Sequence, residues 1–238
     1  MLVLVLYTIL TTHIGIVLTS IYLHRCVIHR QYTLNPVVAH VFRFMFWITD
    51  GILTKPFAAQ HRKHHKYTDV EGDPHSPVLV GNWQIIGHCL IPNFFSEYKY
   101  FDTDWALEHY GAGTPDDWME RHVYCHTKLG VLILLAINVL LFGWWGVVAW
   151  LVHLFCISLF VNAVITGFGH WIGYRNYNTD DNSRNVVPWG ILGCGEEMHN
   201  NHHKDPINPN FARRWFELDL GWCYITLLKW LGLAKLKE

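Results

Sequence analysis

Two long apolar stretches limit what this chain can fold into. Residues 1–23 are almost wholly apolar, and a helix that rises about 1.5 Å per residue crosses a hydrocarbon core of about 30 Å with this length. Residues 129–169 are apolar over close to twice the length of one crossing, with Gly143 and Gly146 near the middle. The pattern predicts a mainly α-helical, multi-pass membrane protein with one span at 1–23 and a two-span hairpin at 129–169. Buried helices of a soluble protein rarely run this long without charge.

Composition agrees with a membrane protein and argues against nucleic acid as a partner. The chain has 238 residues, of which 51% are hydrophobic and 16% are charged, and its length predicts a single domain over 1–238. The formal net charge is -1, so there is no broad basic surface to predict binding to nucleic acid. The apolar N-terminus lacks a basic region and a small-residue cleavage site, so we expect it to be retained.

Histidine usage is the second constraint. The chain has seventeen histidines, and histidine is the commonest neutral metal ligand. Eight of them form three clusters: His24 and His29; His61, His64 and His65; His199, His202 and His203. The spacing i, i+3, i+4 in the second and third clusters places three rings within an arc of about 100° on a helix, so they can converge on metal. Eight histidines exceed the four ligands of a structural zinc site, and the clusters therefore predict two metal ions.

The first cluster has a different spacing. On a regular α-helix His24 and His29 diverge by about 140°, so either the helix loosens there or the two rings serve different metals. Ligand type does not choose the metal, because imidazole suits iron, copper, zinc and nickel. Both questions stay open at the level of the residues.

The clusters also set the expected topology. Residues 34–53 are apolar in bulk but carry polar side chains that are costly at a bilayer centre, among them Arg43 and Asp50. A full crossing there would separate the first cluster from the second, so we expect an interfacial helix that leaves them on one face. Residues 54–128 and 170–238 would then form a helical cap on that face. Its cations, Arg25 among them, assign the cap to the cytoplasm.

The clusters and their flanks resemble a known family. The H-x4-H, H-x2-H-H and H-x2-H-H boxes, with the segments HRKHHKYTDVEGDPHSP and GEEMHNNHH, resemble the membrane acyl desaturases of the stearoyl delta-9 type, especially bacterial members. The resemblance covers about residues 13–222. It implies an O₂-dependent enzyme of a bacterial inner membrane that introduces a cis double bond, at delta-9, into a saturated acyl chain. The chain would be carried by coenzyme A, acyl carrier protein or a membrane lipid.

The resemblance implies two non-haem irons and a ligand set. The family adds one histidine before the third box, which here matches His170 in TGFGHWIGYRN. The implied ligands are His24, His29, His61, His64, His65, His170, His199, His202 and His203. The family often has an Asn four residues before the extra histidine, where it contacts iron through water. This chain has Thr166 there, with Asn162 one turn further back, so Thr166 could hold the water but is not counted as a ligand.

Desaturation would also need an external source of electrons. Removing two hydrogens from adjacent methylene groups requires O₂ and two electrons. The sequence has no C-x-x-C-H haem motif, no G-x-G-x-x-G before a helix and no cysteine set for an iron–sulfur cluster. By resemblance, the donor would be a ferredoxin, rubredoxin or cytochrome b5-type protein.

The remaining histidines and several acids receive simpler interpretations. His13 and His153 fall in predicted spans and are expected to be hydrogen-bonded packing residues. His75 follows the second box and could support it. We expect structural or exposed roles for His40, His88, His109, His122 and His126. Candidate acceptors for the outer N–H of ligating rings are Glu196, Asp50, Asp69 and Asp73.

Two other functions would use similar clusters. A related membrane di-iron hydroxylase or ketolase, acting on lipids, alkanes or carotenoids, would share the boxes, but the H-x4-H spacing and the DPHSP extension favour desaturation. A non-enzymatic metal-transporting or metal-sensing membrane protein would use the clusters only to bind. It would need polar residues along its spans to form a pathway, and the predicted spans lack them.

Overall fold

The computed structural model describes residues 1–90 and 104–237, and it is mainly helical, as predicted. The α-helices are α1 (Leu2–Val17), α2 (Pro36–Thr49), α3 (Thr54–Tyr67), α4 (Pro77–Val80), α5 (Asn82–Leu90), α6 (Asp104–Tyr110), α7 (Thr127–Phe142), α8 (Trp144–Ser158), α9 (His199–Lys204) and α10 (Leu220–Trp230). Three π-helical segments cover Leu18–Ile28, Glu120–Tyr124 and Leu159–Gly167, and a 3-10 turn covers Phe168–His170. Strand β1 (Tyr32–Leu34) pairs antiparallel with β4 (Ala234–Leu236), and β2 (Trp189–Gly190) pairs parallel with β3 (Leu218–Asp219).

Two described helices are long and apolar enough to cross a membrane, Leu2–Ile28 and Trp144–His170. A third candidate is bent, because α2 and α3 qualify only together and meet at an angle of 92°. Helix α7 is apolar but shorter, with 16 residues. Two or three candidate spans fit a membrane protein, and the number of crossings stays a prediction.

Helices α7 and α8 form a close helical hairpin. Gly143 joins them with φ 59°, a left-handed conformation that glycine adopts without steric cost. A Cβ on Gly146 would lie 2.1 Å from the carbonyl oxygen of Asn138, so only glycine permits this approach of the two helices. The Asn138 side chain is buried and accepts a hydrogen bond of 2.7 Å from Tyr7 of α1, which ties the hairpin to the first candidate span.

The bend between α2 and α3 places the second histidine cluster. Helix α2 begins where Asn35 accepts a hydrogen bond from the amide of Val37, with proline at the first helical position. It ends before Gly51, whose φ is 60°. Helix α3 then starts at Thr54 and carries the second cluster in its last turns. The bend therefore turns α3 toward the end of the first candidate span.

An apolar core fixes these helices to one another. Leu18, Tyr22 and Leu23 of the first π-helical segment pack with Phe46 of α2 and Ala58 of α3. On the other side of the same segment, buried Ile21 packs with residues of β1 and α10. Burial of these side chains holds the segment that ends in the first histidine cluster between α2, α3 and α10.

Candidate metal centre

The first cluster lies at the end of a π-helical segment. In a π-helix the amide of residue i+5 donates to the carbonyl of residue i, and His29 donates to the carbonyl of His24 in this way at 3.0 Å. The two rings consequently lie on the same side, with their Nε2 atoms 3.1 Å apart. Of the two alternatives for this spacing, the structure shows the loosened helix, with both rings in one group.

Five histidines converge in the first histidine group, which contains His24, His29, His61, His65 and His202. Their ligand atoms all lie within 4.8 Å of one another. The Nε2 of His61 is 2.9 Å from those of His24 and His65, and the Nε2 of His202 is 2.9 Å from that of His65. All three clusters therefore contribute to this group.

The other four candidates form the second histidine group, which contains His64, His170, His199 and His203. The Nε2 of His199 is 3.0 Å from those of both His170 and His203. The two groups are neighbours, because the rings of His65 and His203 stack with centroids 4.5 Å apart. The structure thus brings all nine candidates together and divides them. Within the second and third clusters, the i and i+4 residues enter one group and the i+3 residue enters the other.

Carboxylates hold the outer nitrogens of four rings. The Nδ1 distances are 2.8 Å for His24 to Glu196, 2.9 Å for His64 to Asp73, 2.9 Å for His170 to Asp69 and 3.0 Å for His203 to Asp181. Such contacts fix the tautomer and direct the Nε2 lone pair inward. Three of the four acids named from the sequence take this role. Asp181 was missed, because nothing in its local sequence distinguishes it from a loop residue.

The expectation for Asp50 was wrong. Its carboxylate accepts hydrogen bonds from Thr19 at 2.7 Å and from Thr49 at 2.5 Å, and it contacts no ring of either histidine group. The reason is the bend after α2, which points Asp50 toward α1 and away from the second cluster.

The electrostatics favour neutral rings and ionised anchors. Burial, followed by the charges of neighbouring histidines, holds the pKa of each third-cluster histidine well below its usual range. Burial acts to raise the pKa of Asp69, but hydrogen bonds, chiefly from His170, outweigh it and lower the pKa to about 2. Burial raises the pKa of Asp73 to about 6. Neutral imidazole is the form of histidine that binds metal.

The donor set fits a cation. The Nδ1 protons of His170 and His203 are held by carboxylates, so both rings present bare Nε2 lone pairs to His199. A neutral imidazole has one ring proton, and His199 can therefore donate to at most one of them. Lone pairs that converge at 3.0 Å repel unless a positive charge lies among them. The same crowding of Nε2 atoms occurs in the first group.

A buried cation supports the anchor of the first group. The Arg25 side chain is fully buried, lies 3.7 Å from Glu196 and donates to Asp219 at 3.1 Å and to the carbonyl of Cys194 at 2.7 Å. Its guanidinium also lies 3.9 Å from the ring centroid of Phe211. Arg25 is therefore not a surface charge, and it does not contribute to the basic face inferred from the sequence.

Two asparagines within the third cluster have a structural role that the sequence did not reveal. Asn201 is fully buried, donates to Glu217 at 2.9 Å and accepts from Asn185 at 3.0 Å. Asn200, also fully buried, accepts from the amides of Asn176 and Tyr177. These bonds fix the short helix α9 against the preceding loop, and their only sequence signal is the unusual pair of adjacent amides between ligating histidines.

A small cavity adjoins both histidine groups. It has a volume of about 50 Å³ and is bordered by His24 and His61 of the first group and His64 and His199 of the second. Thr166 also borders it and donates to the carbonyl of Val161 at 3.5 Å. The Asn162 side chain lies outside the described part of the structure. We call this space the histidine cavity.

A larger space opens beside the histidine cavity. It has a volume of about 600 Å³ and is lined mainly by apolar residues of the bend after α2, of α3 and of α8. Phe57, Gln60 and Val161 border both spaces. We call the larger space the apolar groove.

The remaining histidines described by the structure lie apart from both groups, with the exception of His75. His75 stacks on His64 with ring centroids 4.4 Å apart. His153 is buried and lies 2.8 Å from the Thr49 carbonyl, and His13 lies 2.9 Å from the Tyr224 hydroxyl, so both are hydrogen-bonded packing residues, as predicted. The His88 side chain lies outside the described part.

Comparison with known proteins now decides the family. A model of the fatty acid desaturase family matches residues 1–225. The chain belongs to the fatty acid desaturase family. The resemblance inferred from the histidine boxes is confirmed, and with it the class of enzyme, an oxidoreductase of acyl chains.

Curated desaturases of several kinds are similar to this chain. It is 30% identical to the sn-1 stearoyl-lipid 9-desaturase of Synechocystis sp. over 95% of this chain and 68% of that protein. It is 33% identical to the sn-2 palmitoyl-lipid 9-desaturase of Nostoc sp. over 74% of this chain and 60% of that protein. It is 30% identical to the acyl-CoA C20 Delta5-desaturase of Anemone leveillei over 92% of this chain and 69% of that protein. The chain thus spans 60 to 69% of the length of these three desaturases.

Proposed function

We propose that this desaturase uses O₂ and two histidine-bound irons to introduce a cis double bond, at delta-9, into a saturated fatty acyl chain. The observation that carries the proposal is the convergence of nine histidine Nε2 atoms into two adjacent groups. When bound, the iron pair supplies the dioxygen chemistry that removes hydrogens from methylene groups, which no acid or base of a protein can ionise.

The spacing of the ligand atoms supports iron over zinc. With metal–nitrogen bonds of about 2.1 Å, ligands at right angles lie about 3.0 Å apart, whereas ligands at tetrahedral angles lie about 3.4 Å apart. Neighbouring Nε2 atoms in the first group are 2.9 to 3.1 Å apart, and in the second group the Nε2 of His199 is 3.0 Å from those of His170 and His203. Right-angled geometry belongs to five- and six-coordinate metals, and iron is one of these.

The protein's own residues hold and orient this centre. Asp69, Asp73 and Asp181 keep the Nδ1 protons of three rings in the second group, and Glu196 contacts the Nδ1 of His24 in the first at 2.8 Å. Each ionised anchor also makes its imidazole a stronger donor to metal. These side chains set the tautomers before any substrate binds.

The apolar groove supports an acyl substrate. Its walls include Leu53, Leu154 and Ile157, and it meets the histidine cavity at Phe57 and Val161. Apolar walls hold a methylene chain by its buried surface and keep water from the reacting carbons. The relatives named as 9-desaturases support the delta-9 position. The acyl carrier in this proposal is coenzyme A, acyl carrier protein or a membrane lipid.

We place the enzyme in a bacterial inner membrane as a single multi-pass domain with the histidine groups on the cytoplasmic face. Candidate spans of the described helices support this arrangement. In it, residues 34–53 lie at the interface, 129–169 cross twice, and 54–128 with 170–238 form the cap. Electrons come from a separate ferredoxin, rubredoxin or cytochrome b5-type donor.

Expression of the full chain in a host without this activity tests the proposal. Fatty acids are analysed by gas chromatography with location of the double bond, and new delta-9 monounsaturated acids are expected. They should vanish in His64→Ala and persist in the matched control His122→Ala, because His122 is exposed and its described ring contact is with Trp118. Membrane abundance of each variant is measured by immunoblot.

Other products would contradict the proposal in distinct ways. Hydroxy acids in place of unsaturated acids would assign the chain to the hydroxylases. Metal analysis of the purified protein that found one zinc per chain would overturn the iron pair. Metal binding with no change in any fatty acid would favour a non-enzymatic role.

A further inference from the structure

Gln60 occupies the junction between the apolar groove and the histidine cavity. It lies on α3 immediately before His61, and it borders both spaces. Only 7% of the surface of this residue is accessible to solvent. In the part of the chain that the structure describes, the amide has no hydrogen-bond partner in the protein, although most buried side-chain amides have one. Its nitrogen and oxygen are not among the fully enclosed atoms without a partner, so the amide faces the spaces that it borders.

An unpaired amide at this position is unfavourable unless something in the cavity binds it. Burial removes an amide from water, and the loss is not recovered without a hydrogen bond. A methylene chain in the groove offers neither a donor nor an acceptor. Leucine has a similar volume and would line an apolar groove without this cost.

Two other polar residues of the cavity are held by protein partners. Thr19 donates to Asp50 at 2.7 Å, and Glu196 accepts from Ser20 at 2.7 Å and lies 2.8 Å from His24. The Nε2 atoms of the bordering histidines are directed at one another within the two groups. The Nδ1 of His199 has no hydrogen-bond partner either, but His199 belongs to the second histidine group. The Gln60 amide is a polar group outside both histidine groups that is available to a small ligand in the cavity.

We propose that the Gln60 amide donates a hydrogen bond to a small neutral oxygen ligand in the histidine cavity, dioxygen or the water that replaces it. This inference rests on the proposed function, because an iron pair beside the cavity is what would bring dioxygen there. The amide is neutral, so it can hold either molecule without adding charge next to the two groups. Gln60 would thus position the oxidant between the metals and the acyl chain.

The first arm of the test asks whether the amide is unpaired within the protein. Full-length protein is freed of metal in mild detergent, and the midpoint of thermal unfolding is measured for Gln60→Leu and for a control with a paired polar group, Tyr32→Phe. Tyr32 is 1% exposed and its hydroxyl donates to the Ile21 carbonyl at 2.6 Å. The control should lose about 2 to 4 °C, whereas Gln60→Leu should unfold at the wild-type temperature or above it.

The second arm asks whether the amide binds an oxygen-like ligand. Nitric oxide, a neutral diatomic probe, is titrated into the iron-loaded ferrous protein and followed by its absorption and electron paramagnetic resonance signals. One hydrogen bond from a neutral donor corresponds to about a fivefold change in dissociation constant. Gln60→Leu should weaken nitric oxide binding about fivefold, and Tyr32→Phe should leave it unchanged. The donated hydrogen is detected separately, as a solvent-exchangeable proton coupling to the ferrous nitrosyl that is lost in Gln60→Leu.

The outcomes separate this proposal from the one on which it rests. A loss of thermal stability in Gln60→Leu equal to that in Tyr32→Phe would show a structural partner for the amide and overturn the proposal. Wild-type nitric oxide affinity in iron-loaded Gln60→Leu, with an unchanged proton coupling, would also overturn it while leaving the proposed function intact. A wild-type protein that bound no iron would overturn both.

Discussion

The two histidine groups are held in different ways. The first has five rings and one carboxylate anchor, the contact of His24 with Glu196, which Arg25 supports from behind. The second has four rings, and three of them are anchored by carboxylates. In the described chain, the Nδ1 atoms of His199 and His202, one in each group, have no hydrogen-bond partner, and that of His24 lies 2.8 Å from Glu196 without the geometry of a hydrogen bond. The first group thus relies on the number of its ligands, and the second relies on fixed charges.

The difference implies unequal tolerance to change. A group with a spare ligand can lose one ring and still have four donors, whereas a group of four falls to three. A group oriented by carboxylates, in turn, should depend more on those acids than on neighbouring packing. Three experiments test these statements, beginning with the largest expected effect.

Loss of one ligand from each group compares the groups directly. We expect His203→Ala to lower desaturase activity by more than about 100-fold, since both metals are needed, and His202→Ala to lower it by about 10- to 100-fold, since its group keeps four donors. Iron content should differ, because His203→Ala leaves three rings in its group and His202→Ala leaves four. Elemental analysis should find about one iron per chain in the first variant and more than one in the second. Equal iron contents would contradict the comparison.

Removal of Arg25 tests the support behind the first group. Arg25→Met leaves Glu196 and Asp219 buried without their cation, and breaking a buried ion pair in this way costs about 3 to 5 kcal/mol of unfolding free energy. Equilibrium unfolding in detergent measures it. Arg121→Met is the matched control, since Arg121 pairs with Asp116 at the exposed surface and should leave stability unchanged. An unaltered Arg25→Met protein would show that the buried pair contributes nothing.

Replacing the carboxylates that anchor the second group by neutral amides should have the smallest effect, a partial loss of iron affinity. Asp69 has φ 62°, a conformation that asparagine also tolerates, so Asp69→Asn changes the charge with little backbone strain. We expect iron affinity of this group to fall about 10- to 100-fold, measured by chelator competition. Asp181 is more exposed, with 13% of its side chain accessible against 3% for Asp69, so Asp181→Asn should cost at most about 10-fold. A larger effect at Asp181 would reverse the order of the anchors.

Much of the site could be predicted because its information is local. The spacing in the second and third clusters fixes which face of a helix the rings occupy, and the flanking segments were specific enough to identify the family. The role of Asp69 and Asp73 also followed from their position just after the second cluster. Asp50 also lies near the second cluster in sequence, on its N-terminal side, yet the 92° bend separates it from the rings.

The sequence by itself determined the apolar helices, the nine candidate ligands and the family, since each depends on residue type and spacing along one segment. Tertiary structure decided how the ligands divide between two groups, because that depends on how three helices meet. It also decided the anchoring by Asp181, the burial of Arg25 and the position of Gln60 between two cavities. In each of these the partners are far apart in sequence, and only packing sets the distance between them.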